Sequence, residues 1–453
     1  MRADAVAAGA ASTSPDPPVA DTSPAPPPLP GNRNFHLLWL GEGVSVLGSM
    51  TTSVVVPLVA VTVFGAGPAW MWLLTAAAWL PWLVIGLPVG AWVDRSDARR
   101  VMVAADLGAA IAIGSVPVAW ALGVLTLPHL ALATLGVGAA SVLLRTAYLP
   151  LVPRVVAGPD LEAANARLLG TESAMQVVGP ALGGVLVAVL SAAYAVVLDV
   201  VSFLVSAVCL TRMDRRRLVP ASAPAHREPL RREVATGIRV VGHDPFLRFF
   251  TLQGGVANFA LTGYYTLLVL FLVRDLDLAP GRVGLVLAAG SIGGLAGAAV
   301  ARRASARLGD ARAMVVLQVG LAPPALLLAT AQPGAGVALV PLGLALVGVG
   351  VVAANVLRGT FRMRYVPPHL LARTMSTSSL VNFGTMPVAG LAAGWLGTHV
   401  GVRETIAAMA ALYVASSLWV LVGPYARRRD LPTQPMATWS RGSTATARKR
   451  SVT

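Results

Sequence analysis

Three acids interrupt apolar stretches of this chain: Glu42 in GEGVSVLG, Asp106 in VAADLGAA and Asp199 in VVLDVVSF. A charge at the centre of a bilayer costs about 2.5–3.5 kcal/mol even on the mild insertion scale. Burial in apolar surroundings favours the neutral form of a carboxyl, so an acid that meets a cavity there can take up and release a proton. Glu42, Asp106 and Asp199 are therefore candidates for proton coupling. The competing role of Glu42 and Asp199 is a hydrogen bond between helices. For Asp106, which follows an arginine cluster, the competing role is to brace those arginines.

Two glycine motifs suggest moving parts. Residues 86–100 read GLPVGAWVDRSDARR. Gly86 and Gly90 bare one helix face for close packing and sliding. Asp94 and the cations Arg95, Arg99 and Arg100 then sit at the helix end, where the plain reading of the residues is a loop charge cluster that sets topology. Gly179-Pro180 with Gly183 and Gly184 forms the second motif, in which proline removes a backbone donor and bends its helix. Polar side chains within later apolar stretches are the candidates for lining a cavity: Gln253, Asn258, Tyr264, Tyr265, Asn355 and Asn382. Trp70, Trp72, Trp79 and Trp82 read as anchors at the membrane interface.

The elements that must position these groups are apolar helices. The 453 residues are 56% apolar and only 12% charged, far below the ~25% charged residues of soluble chains. Twelve stretches are long enough to cross a bilayer, at approximately 36–64, 69–93, 101–125, 128–149, 168–190, 192–211, 247–273, 281–301, 313–332, 335–357, 376–398 and 402–422. The predicted fold is all-α and polytopic. It consists of an N-terminal tail (1–34), a six-helix bundle (35–211), a linker with an amphipathic helix (212–246), a second six-helix bundle (247–423) and a basic tail (424–453), both tails being disordered. Nearly all basic residues fall in loops of one side, and only Arg274, Arg282 and Arg403 in loops of the other. The positive-inside rule puts the first side, with both termini, in the cytoplasm. Two echoes tie the halves together: GAWVDR from Gly90 returns as GAAVAR from Gly297, and RTAYLPLVP from Arg145 returns as RGTFRMRYVP from Arg358. Both recur at nearly the same offset, as expected of parallel repeats.

With two sets of six spans and the Gly90-to-Arg100 loop after span two, the chain resembles the major facilitator superfamily. Within it the sequence is similar to the bacterial drug, macrolide and siderophore (enterobactin-exporter-like) efflux branch, over about residues 33–425. NFHLLWLGEGVSVLGSM, LVPRVVAGPDLEAANA and VVGPALGGVL carry the likeness beside the gate loop. The resemblance implies two pseudo-symmetric bundles, a cytoplasmic gate held by Asp94 and its arginines, and an antiporter motif at Gly179, Pro180, Gly183 and Gly184. It departs from that branch at Gly48-Ser49, where an acid usually follows the first-span glycine, and at Leu132, where drug antiporters often carry arginine. Ala301 also stands where the first repeat has Asp94.

The function these features imply is proton-coupled antiport of a hydrophobic small molecule, by alternating access, in the cell membrane. A nutrient importer or uniporter is the runner-up, and a non-transporting scaffold the outlying class. An enzyme is not expected. The net charge of +15 lies in short loops rather than along one face, so nucleic acid is not an expected partner; protons, lipid and a small-molecule substrate are. No GxxxxGK[ST] or HExxH run is present and Cys209 is the only cysteine, so no cofactor or metal is expected. The superfamily commonly works as a monomer.

Overall fold

The structure, a computed structural model, describes residues 27–93, 95–190, 192–218 and 230–432. Asp94, the first 26 residues, the middle of the linker and the last part of the basic tail lie outside the described residues.

The first half comprises α1 (Arg33–Phe64), α2 (Pro68–Val84), α3 (Gly86–Val93), α4 (Ala98–Ala121), α5 (Leu127–Val155), α6 (Leu161–Val189), α7 (Ala192–Ala195) and α8 (Val197–Thr211). After α9 (Leu230–His243), the second half comprises α10 (Pro245–Arg274), α11 (Pro280–Leu308), α12 (Asp310–Leu321), α13 (Leu327–Thr330), α14 (Leu339–Tyr365), α15 (Pro368–His399) and α16 (Val402–Leu418). Among the described residues ten helices, some continued by a short turn, are long and apolar enough to cross a membrane. The shorter α2 and α8 complete the twelve crossings together with α3 and α7. Large apolar side chains such as Leu132, Val201, Leu285 and Val388 remain exposed on the periphery, as a lipid-facing surface requires.

Local chemistry sets the helix ends. The Asn32 side chain accepts a hydrogen bond from the Phe35 amide (3.0 Å) and caps α1. Gly65, at φ 59°, closes the same helix in the left-handed conformation that only glycine adopts cheaply. Asp244 caps α10 through the amides of Phe246 and Leu247, and its other oxygen accepts from the Tyr365 hydroxyl at 2.7 Å. Pro81 and Pro88 flank a break at Ile85, so the second crossing is two helices rather than the single one its hydropathy suggested. Pro88 has no N–H for the Val84 carbonyl, and Pro81 has none for the Ala77 carbonyl one turn earlier.

The packing repeats between halves. α1–α6, α1–α8 and α2–α5 recur as α10–α15, α10–α16 and α11–α14. The two large contacts between halves, α2–α15 and α6–α11, are likewise one contact repeated, because exchanging the halves maps each onto the other. This is the pseudo-twofold arrangement of two six-helix bundles.

Two boundaries differ from the sequence reading. The chain stays packed beyond residue 423: Tyr425 is fully buried between Phe249 and Phe250 (ring centroids 5.7 and 5.0 Å), and Arg429 accepts the amides of Ala311 and Arg312 through its carbonyl. α14 runs eight residues past the expected end of its apolar stretch, to Tyr365. The linker helix α9 packs on α10 and α15, with Val240 and Val241 buried.

Candidate functional site

The halves meet at the end that carries the short α1–α2, α10–α11 and α15–α16 connections, here the short-loop end. Arg274 of α10 donates to the carbonyls of Gly65 and Ala66 at 2.6 and 3.0 Å. A Cβ on Gly184 of α6 would stand 2.9 Å from Gly284 Cα of α11, and one on Gly281 would stand 3.5 Å from Ala188 Cβ. On the other seam, Gly397 abuts Pro68, Gly390 abuts Thr75 and Gly384 abuts Leu83. Phe383 of α15 stacks on Trp79 and Trp82 of α2, at 5.9 and 5.2 Å between centroids. Trp72 likewise packs against Gly394. Trp72, Trp79 and Trp82, expected as membrane anchors, are thus seam residues; their large flat faces fill space left by small residues on α15.

Toward the linker end this contact fades. A Cβ on Gly86 or Gly90 would meet nothing within 4 Å, and α3 packs on α5 instead of across the seam. The close packing expected of this glycine pair is absent in this conformation. Their counterparts in the second repeat, Gly293 and Gly297, do pack closely, against Ala345 and Val349 of α14. Arg99 does not meet Asp106. It donates to the carbonyls of Met213 (2.7 Å) and Thr211 (3.5 Å), capping the end of α8. Asp97 pairs with Arg100 at 3.6 Å and with Arg215 at 3.8 Å, while Arg95 is exposed.

The glycine-rich element of α6 faces two ways. Gly179 and Gly183 lie against Met50 and Thr51 of α1, and the Thr51 hydroxyl donates to the Gly179 carbonyl at 3.2 Å. Gly184, with the Pro180 carbonyl, lies against Gly284 in the opposite half. One short stretch therefore touches both the first helix of its own bundle and the partner bundle.

The three acids occupy different surroundings. Asp106 is fully buried with neither carboxyl oxygen in a hydrogen bond, and the groups that act on it are Ser206 of α8 and the Glu42 carboxyl; its expected role of bracing the gate arginines is not what the geometry gives. Asp199 is also fully buried, accepts from the Ser202 hydroxyl at 3.1 Å, and rests on Gly48. Glu42 shares its surroundings with Arg145 and Glu172, which pair with each other at 3.5 Å. Glu172 and Arg145 were not singled out although both fall inside expected crossings (168–190 and 128–149), because each sits about one turn from the linker-side end of its stretch and reads as a charge at a helix end.

A cavity of about 390 Å³ opens in the second half, walled by α10, α12, α14, α15 and α16. Gln253, Asn258, Asn355 and Asn382 line it, and Asn258 donates to Asn382 Oδ1 at 3.1 Å. Tyr264 and Tyr265 do not line it; they pack on each other at 4.7 Å, with Tyr264 fully buried. Phe383, the partner of Trp79 and Trp82, also lines it, so the seam and the cavity share a wall. Arg358, Arg362 and Gln318 are additions the sequence reading missed. Both arginines were assigned to a loop, whereas α14 carries them as its own residues.

The profile of the Major Facilitator Superfamily matches residues 38–383 and 252–450. An MFS-type transporter of Sinorhizobium fredii, y4rN, is 29% identical over 58% of this chain and 66% of its own length. The multidrug efflux pump Tap of Mycolicibacterium fortuitum is 29% identical over 79% of this chain and 88% of its own. Among solved structures, a bacterial homologue of the iron transporter ferroportin superposes with a TM-score of 0.68 in its inward-facing state, at 19% identity over 87% of this chain and 99% of that one. In its outward-facing state the TM-score is 0.55, at 20% identity over 86% and 98%. A polytopic bundle repeated about a pseudo-twofold axis, with that profile matched along most of its length, places this multi-pass membrane protein in the major facilitator superfamily.

Proposed function

We propose that the protein is a secondary active exporter, which exchanges protons for a hydrophobic small molecule (a drug, a macrolide-like natural product or a siderophore) by alternating access in the cell membrane. The observation that carries the reading is the asymmetry of the seam. The halves are joined at the short-loop end from Arg274 to Gly65, whereas Gly86 and Gly90 have no close neighbour, and the polar-lined cavity of the second half shares Phe383 with the seam. The distribution of basic residues supports a cytoplasmic linker end, so this conformation is open to the cytoplasm and sealed outside. Likeness to the Tap pump favours export. Glu42, Asp199 and Asp106 are the groups proposed to exchange the proton. The gradient supplies about 2.3 kcal/mol per charge per 100 mV.

Everted membrane vesicles from cells that overproduce the protein test this reading. Acidifying the lumen should drive accumulation of at least one compound from a drug and siderophore panel, and a protonophore should abolish it. Accumulation that ignores the proton gradient, or none in vesicles that contain folded protein, contradicts it.

A further inference from the structure

The cavity wall is rich in donors and carries no acid. Its lining includes Arg358, Arg362 and Gln318 and contains neither aspartate nor glutamate. The Nε atoms of both arginines and Nε2 of Gln318 are buried without a hydrogen-bond partner. Among the described residues no carboxylate forms an ion pair with either guanidinium. The titratable groups that act on Arg358 are the phenols of Tyr425 and Tyr413, and the one that acts on Arg362 is Arg358 itself.

The first half handles the same position differently. Arg145, the repeat counterpart of Arg358, has a resident carboxylate in Glu172 at 3.5 Å. Where the first half has Glu42 on α1, the second half has Gly254 on α10, where a Cβ would stand 3.2 Å from Arg358 Nη1. One repeat neutralises its arginine from within the protein; the other leaves two cations, one turn apart on the same helix face, with no carboxylate among the described residues paired to them. A buried charge is costly unless it is paired. A guanidinium satisfies a carboxylate or phosphate with two parallel hydrogen bonds.

We propose that Arg358 and Arg362, with Gln318, form an oxyanion-binding subsite that holds an acidic group, carboxylate or phosphate, of the transported molecule. The cargo is then an amphiphile: an apolar body against Leu261, Val351 and Met386, with an anionic head on α14. This inference rests on the reading of the cavity as the cargo chamber, but its test needs no gradient and no transport.

The test is equilibrium binding of 2-naphthoate, with 2-naphthamide as its neutral isostere, to the full chain in phosphatidylcholine nanodiscs, read by calorimetry. Naphthoate should bind at least about tenfold more tightly than naphthamide, as expected for hydrogen bonds to a charged group. Arg358→Gln and Arg362→Gln should each remove that preference. Arg358→Lys, which keeps the charge but loses the fork, should lose most of it and serves if the glutamine variants misfold. Phosphatidylglycerol in the discs identifies the source of the oxyanion. Competition with naphthoate points to a lipid headgroup and no competition to a solute, and both outcomes uphold the subsite. Equal binding of acid and amide, or a preference that survives in folded glutamine variants, overturns it. Failure of vesicle export alongside acid-selective binding would count against the export reading alone.

Discussion

The carboxylate of Asp199, delivered by α8, rests on the bare Cα face of Gly48 in α1: a Cβ there would stand 2.5 Å from Asp199 Oδ1 and 2.7 Å from Ser202 Cβ. First-helix acids are usual shortly after this glycine in the efflux branch the sequence resembles. Here the sixth crossing brings one to the same place, and only glycine leaves it room. Gly48→Ala should destabilise the protein by about 1–3 kcal/mol through overpacking, read as a lower midpoint in thermal unfolding of the detergent-solubilised chain. An unchanged midpoint would mean that Asp199 is free to move aside.

Asp199→Asn keeps the shape of that side chain and removes its ability to ionise. If Asp199 carries the coupling proton, this variant folds as well as the parent and loses gradient-driven accumulation in everted vesicles. Glu42→Gln is the parallel test in the Glu42, Arg145 and Glu172 cluster. Whichever variant retains full gradient dependence is excluded as the coupling acid.

Ala188 and Gly281 face each other across the seam, with 3.5 Å between the Ala188 Cβ and the position a Cβ would take on Gly281. That separation matches the Cβ spacing of a disulfide, about 3.5–4.5 Å. In a Cys209→Ser background, Ala188→Cys with Gly281→Cys should cross-link under mild oxidation and stop transport, and reduction should restore it. The bond is read as retarded separation of the halves after proteolysis of the linker. Transport that continues in the cross-linked protein would show that this end does not open.

Arg99 acts as a cap rather than as part of a latch in this conformation. Arg99→Gln removes the 2.7 Å bond to the Met213 carbonyl at the end of α8 and should cost about 1–2 kcal/mol of stability. Thermal unfolding measures it, and Arg95→Gln, at an exposed position, should leave the midpoint unchanged.

How much of this was legible beforehand follows from what each residue depends on. The twelve crossings and the repeat of two bundles come from hydropathy and internal echo, which are local and additive, and they stand. Four of six cavity candidates were readable because asparagine and glutamine inside apolar runs have few other uses. Tyr264 and Tyr265 were not distinguishable from them, since an aromatic ring with a hydroxyl serves core packing equally well. Arg358 and Arg362 looked like loop charges because hydropathy falls before the helix ends, while backbone hydrogen bonding carries α14 on to Tyr365. Trp79 and Trp82 owe their place to Phe383, some 300 residues away in the chain, and no local pattern encodes that contact.

The central claim is that the two bundles rock against each other across the seam. Electron–electron distance measurements address it directly, with spin labels at Ser96→Cys and Arg303→Cys on the linker end, and at Gly67→Cys and Val400→Cys on the short-loop end, in a Cys209→Ser chain. Lowering the pH across the nanodisc sample should shorten the first distance and lengthen the second together, between two discrete populations. A single fixed distance at both ends under all conditions, in protein that transports, would contradict the account.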